Sequence, residues 1–179
     1  MYLGGLTPQI VAQAHRHAKS APRNLSSQPF RFFTSLQAAD YAAFAEQIFP
    51  TDDTPGAKEA NVVHFADFAL AEIEPHNKSD FTKALNALNE HAKKTNPEAK
   101  SFAALSSAQQ AETMKSMEKT PDFGMLRFYA VVGFLGDPAD GGNKNKVGWD
   151  LIGFKDDFYY APPFGDYDAQ LMKKQKEKA

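Results

Sequence analysis

Apolar residues recur at helical spacing along four consecutive stretches of the chain. In the first, Tyr41, Phe44, Ala45 and Ile48 form one stripe. Thr34 or Ser35 stands where a helix cap belongs, Thr34 and Gln37 fit a capping box, and Pro50 stops the element. The second stretch is predicted over about residues 57–73, after Pro55 and Gly56. It turns Val62, Phe65, Ala66, Ala69, Leu70 and Ile73 inward and ends before Pro75. The third runs over about 80–94 from Ser79 as cap. Phe81, Leu85, Leu88 and Ala92 lie opposite Asn86, Asn89, Glu90 and Lys93, and Asn96-Pro97 breaks it. The fourth follows Ser106 and Ser107, each with Gln three residues on, and is expected to bury Ala111, Met114 and Met117. Four amphipathic helices of this kind match a bundle.

The fifth segment has no polar face. Thr120-Pro121-Asp122 combines a cap, a proline at the first helical position and an acid in the first turn. Phe123 to Leu135 then carries one charge, Arg127, before Gly136 ends it. A helix apolar all round must be covered all round. Two readings follow: it is the central helix of this domain, or another chain covers one face.

Beyond residue 136 the periodicity stops. Asp137-Pro138-Ala139-Asp140-Gly141-Gly142-Asn143 is turn chemistry. Trp149, the single tryptophan, precedes Leu151-Ile152-Gly153-Phe154, and Phe158, Tyr159, Tyr160, Phe164 and Tyr167 follow around Pro162 and Pro163. Aromatic residues on a proline-stiffened segment lose little entropy on docking. The segment reads either as a strap that grips a partner or as one that wraps its own domain. Lys173 to Ala179 reads as a solvated tail. At the other end, residues 20–33 read as a loop pinned by Phe30, Phe32 and Phe33. Ala12-Gln13-Ala14 forms a small-residue cleavage pattern behind a weakly apolar stretch, which reads as an export-signal remnant or as a short amphipathic helix. The organisation expected is an N-terminal segment over 1–33, a helical domain over 34–160, and a strap with tail over 161–179.

Composition narrows the class. In 179 residues there are 27 alanines against 10 valines and isoleucines together, which favours helices over strands, and 15 phenylalanines supply aromatic core volume. The fold class expected is all-α: a compact bundle of about five helices with an irregular aromatic, proline-rich C-terminal strap. A net charge of −2 gives no basic field for nucleic acid, and no apolar run is long enough to span a membrane. The absence of cysteine excludes disulfides, zinc–thiolate sites and a thiol nucleophile in this chain.

Reactive constellations are sparse. His64 and Asp67 share a helix face three residues apart, a spacing commoner in surface pairs than in catalytic dyads. His15 and His17 would bind metal together only from an ordered strand. The 137–143 loop has calcium-loop composition without the spacing or the closing glutamate. No hydrolase, nucleotide, zincin, flavin or nicotinamide fingerprint occurs. No catalytic, cofactor-binding or metal residue is therefore assigned to this chain.

Two motifs carry a resemblance. Ile48-Phe49-Pro50-Thr51-Asp52-Asp53-Thr54-Pro55-Gly56-Ala57-Lys58-Glu59-Ala60, continuing through Val62, Phe65, Asp67 and Leu70, looks like the front signature of the gluconate 2-dehydrogenase subunit 3 family. Gly133-Phe134-Leu135-Gly136-Asp137-Pro138-Ala139-Asp140-Gly141-Gly142-Asn143, followed by Gly148-Trp149-Asp150-Leu151-Ile152-Gly153-Phe154, resembles its rear signature. The resemblance implies a small, non-catalytic subunit. Its partner would be a large FAD-binding subunit of the glucose-methanol-choline type that oxidises a sugar, sugar acid or glycoside and passes electrons to a cytochrome c. The implied role is assembly, stability and export of that partner, with FAD in the partner alone and a periplasmic or membrane-associated location. Family export commonly uses twin arginines, which this sequence lacks. The candidate partner-contact residues are Asp137, Gly141, Gly142, Asn143, Trp149, Phe154, Phe158, Tyr159, Tyr160, Phe164 and Tyr167. The rival reading is a stand-alone α-helical ligand or metal binder using His64, Asp67 and the 137–143 loop.

Overall fold

The computed structural model describes residues 24–155 and 165–177; side-chain placement is not described for a few positions within 166–172. The described residues contain helices and no strands, as the alanine-rich composition predicts. The elements are α1 (Ser35–Ile48), α2 (Val62–Phe68), α3 (Lys78–Thr95), α4 (Ser107–Met117), α5 (Pro121–Leu135), α6 (Val147–Leu151) and α7 (Asp166–Lys176).

Local chemistry accounts for the starts of α1, α4 and α5. Thr34 and Gln37 form a reciprocal capping box at α1, and Ser106 and Gln109 form a second at α4. Thr120 accepts from the Phe123 N–H at α5, with Pro121 at the first helical position.

The second helix departs from expectation. Residues 57–61 are a turn, and α2 starts at Val62, because Asn61 takes a left-handed conformation with φ of 64°. Asparagine tolerates that region better than most residues. The turn is drawn out of helical register by its own backbone bonds: the Ala57 N–H donates to the Phe49 carbonyl, and the Val62 N–H to the Ala57 carbonyl five residues back. The helix then widens into a π-helical turn over Ala69–Ile73, which a short 3-10 turn (Pro75–Asn77) follows.

Three further expectations are corrected. Helix α3 begins at Lys78 behind Asn77, not after Ser79, because the preceding 3-10 turn runs directly into it. The inner face of α4 is Gln110, Thr113, Met114 and Met117, whereas Ala111 is exposed. Gln110 is tolerated inside because its amide donates to the Phe102 and Leu105 carbonyls. Residues 166–176, read as strap and tail, form α7, with Gly165 before it and Lys173, Lys174 and Lys176 in its last turn. Basic residues there complement a helix macrodipole.

Helix α5 packs against α1 to α4 and α6, so it is the hub of the bundle. It is not covered all round by the described residues: Leu126, Tyr129, Ala130, Gly133 and Phe134 are buried, yet Phe128 is 54% exposed. The rings of Phe32, Phe33, Tyr41 and Tyr129 surround fully buried Phe81 at centroid distances of 5.1–6.3 Å. Each such pair adds about 0.5–1.5 kcal/mol beyond burial. Phe30, Phe32 and Phe33 thus pin the 24–33 loop to the core, as expected. Among the described residues no helix is long and apolar enough to cross a membrane.

Candidate partner-docking site

The rear segment is a knot built on the C-terminus of α5. A helix end leaves its last carbonyls without intrahelical donors. Here the Asn143 N–H donates to the Gly133 carbonyl at 2.6 Å, the Asn143 side-chain amide to the Gly136 carbonyl at 3.0 Å, and the Trp149 indole N–H to the Leu135 carbonyl at 2.7 Å. The Asn143 side-chain oxygen in turn accepts the Gly148 N–H at 2.8 Å. Asn143 is wholly buried with φ of 41°. Gly142 and Gly148 are required by close approach: a Cβ on Gly142 would stand 2.5 Å from the Gly133 carbonyl oxygen, and one on Gly148 would overlap that of Phe134.

The front segment is tied into the same knot. The Asn61 side chain donates to the Gly141 carbonyl at 3.0 Å, and the Lys144 N–H donates to the Ala60 carbonyl at 3.1 Å. The left-handed turn at Asn61 and the rear loop therefore hold one another in place. The two motifs lie eighty residues apart in sequence and form one rigid corner.

This corner carries a short apolar ledge. Trp149 is half-buried, its ring 5.0 Å from that of Phe154 and 5.5 Å from the Lys146 ammonium. Leu151, Ile152 and Phe154 are exposed. Of the candidate contact residues, Gly141, Gly142 and Asn143 are buried inside the chain, and Asp137 caps a 3-10 turn (Pro138–Asp140) by accepting the Ala139 N–H. Trp149 and Phe154 form the ledge. Tyr167 falls within α7, while Phe158, Tyr159, Tyr160 and Phe164 lie outside the described residues, as do His15, His17 and the Ala12–Ala14 pattern.

His64 and Asp67 do separate work. The Asp67 carboxylate accepts the backbone N–H groups of Arg31, Phe32 and Phe33 at 2.8–2.9 Å, fastening the N-terminal loop. His64 stacks on Phe30 at 4.8 Å, and burial pushes its imidazole below the usual range, partly offset by Asp67. Among the described residues no group of three or more metal-ligating side chains forms.

Sequence reasoning missed two features. Buried Asp40 accepts from Asn89 and the Ala103 N–H, joining α1 to the 102–104 turn and α3. A groove of about 700 Å³ opens beside α1 and the front segment. The small residues at Ala38, Ala39 and Ala42 were its one sequence signal, and small residues serve close helix packing equally well.

Fold and corner together define a helical domain with apolar surface fixed on a stiff loop. Residues 35–156, more than half of the chain, match the family Gluconate 2-dehydrogenase subunit 3, and the chain belongs to that family. It is a small subunit of that type, from a family that serves multi-subunit dehydrogenases. No curated protein and no solved structure matches the chain.

Proposed function

We propose that this chain is the non-catalytic small subunit of a periplasmic or membrane-associated FAD-dependent dehydrogenase of the glucose-methanol-choline type. The large partner holds FAD, oxidises a sugar, sugar acid or glycoside hydroxyl, and passes electrons onward to a cytochrome c. The small subunit supports assembly, stability and export of that partner. The observation that carries this reading is the exposed Leu151, Ile152 and Phe154 ledge, mounted on the corner and lying inside the matched span. Apolar side chains on a rigid base lose little entropy when covered. A stable interface needs about 1,200–2,000 Å² in total, so the ledge would form only part of it.

Co-expression tests the reading. The large subunit is expected to be soluble, flavin-bearing and exported only with this chain present. An equally active and equally exported large subunit made without it would overturn the reading.

A further inference from the structure

Helix α5 carries two rows of apolar and small residues, and the bundle covers one of them. Leu126, Tyr129, Ala130, Gly133 and Phe134 are buried against the neighbouring helices. On the opposite side, at about 100° of turn per residue, Gly124, Phe128, Val131 and Leu135 form the second row. Gly124 and Phe128 are exposed, and Val131 and Leu135 are half-buried. Their spacing alternates between four and three residues, which is the spacing of a seam along which two helices pack. The row is about 16 Å long at the helical rise per residue.

Its relief also suits a helix. Phe128 stands out as a knob, 54% exposed. Nothing lies within 4 Å of a Cβ built on Gly124, so a notch opens one turn before the knob. A ridge beside a groove is what a second helix needs in order to interlock.

The row runs into the ledge. Leu135 ends it, and the Leu135 carbonyl accepts the indole N–H of Trp149, whose ring packs on Phe154. Leu151, Ile152 and Phe154 are each about half-exposed and present on the order of 100 Å² apiece. That falls well short of the roughly 800 Å² that one partner gives to a stable interface. Row and ledge together form an apolar patch of the size that marks a protein contact.

We propose that a helix of the large subunit packs along this row, with one of its side chains in the Gly124 notch and Phe128 against its flank, while the ledge holds the same subunit. This rests on the partner reading given above, and it adds the place and the form of the contact.

The test uses the full chain and the proposed large subunit, with flavin absorbance reporting the complex in a binding titration. Gly124→Trp fills open space and removes a glycine from a helix. It is expected to melt at or above the wild-type temperature, yet to bind at least about tenfold more weakly. Phe128→Asp is expected to weaken binding by a similar factor. Ala111→Trp, at an exposed position on α4, is expected to leave it unchanged. The chain has no cysteine, so Gly124→Cys adds a single thiol. Its labelling by a maleimide is expected to slow at least about tenfold in the complex, whereas the thiol of Ala111→Cys keeps its rate. Unaltered affinity in Gly124→Trp, or unslowed labelling of Gly124→Cys in a complex that forms, would overturn this inference and leave the proposed function standing. Failure of the wild-type chain to bind the large subunit would overturn both. A chain that dimerises through the row, and that Gly124→Trp turns into a monomer, would give the row to a second copy and sink the proposal as well.

Discussion

Asp67 is 4% exposed and its two oxygens satisfy three consecutive backbone donors, Arg31 to Phe33. Asp67→Ala would leave those N–H groups without an acceptor and free the loop that carries Phe32 and Phe33 into the core. A loss of at least about 3 kcal/mol is expected, read from urea denaturation; a loss under about 1 kcal/mol would show the loop held by its rings alone. Tyr129 gives a pH signature. Burial, and then its hydrogen bond to Glu74, push its hydroxyl up to about 12. The unfolded chain releases that proton near 10, so it binds fewer protons than the folded chain between about 10 and 12, and stability falls as pH rises through that window. Tyr129→Phe is expected to flatten the fall and to cost about 1 kcal/mol at neutral pH through loss of the bonds to Glu74 and Asn77. Buried Tyr41, raised well above the ordinary value, retains its own share of the slope. An unaltered alkaline profile in Tyr129→Phe would refute the assignment.

At the scale of elements, the glycines of α5 and α6 separate packing from propensity. Gly148 lies against the Phe134 carbonyl, so Gly148→Ala must push α6 off α5, at an expected cost of about 1–3 kcal/mol or more. Gly124, in the first turns of α5, has nothing within 4 Å of a would-be Cβ, and Gly124→Ala is expected to stabilise by about 0.5–1 kcal/mol. Thermal melts of the two variants should move in opposite directions, and parallel shifts would contradict the packing described. Helix starts were legible where a side chain acts on its own turn: Thr34, Ser106 and Thr120 each bond a backbone group three residues on. The start of α2 was illegible, because the left-handed Asn61 is fastened by its side chain to the Gly141 carbonyl, eighty residues away. The inner face of α4 was misread for a related reason: Gln110 looks like surface until its carbonyl partners at Phe102 and Leu105 are known.

For the whole molecule, the consequence is a division between groups that hold the chain together and groups left facing outward. Gly141, Gly142 and Asn143 serve the internal corner, and Trp149 caps the end of α5 while supporting Phe154. Leu151 and Ile152 are exposed and can be changed without disturbing that corner. The double substitution Leu151→Asp with Ile152→Asp is expected to leave folding stability within about 0.5 kcal/mol. The same variant is expected to weaken association with the proposed large subunit by about tenfold or more in a binding titration. Undiminished affinity would move the interface away from the ledge. Trp149→Ala is expected to weaken the complex more than it weakens the isolated fold, although the lost indole bond to Leu135 gives it a stability cost that the Leu151 and Ile152 changes lack.

The sequence by itself determined the helical class, the caps of α1, α4 and α5, the aromatic core and the two signature segments, because these depend on contacts within a few residues or on composition. Tertiary structure alone decided that the two segments meet at Asn61 and Gly141, that Asp67 fastens a loop thirty-odd residues earlier, and that alanines along α1 open a groove. Each of those outcomes depends on which distant backbone groups are left without partners once the helices pack. Spacing along the chain carries no record of that.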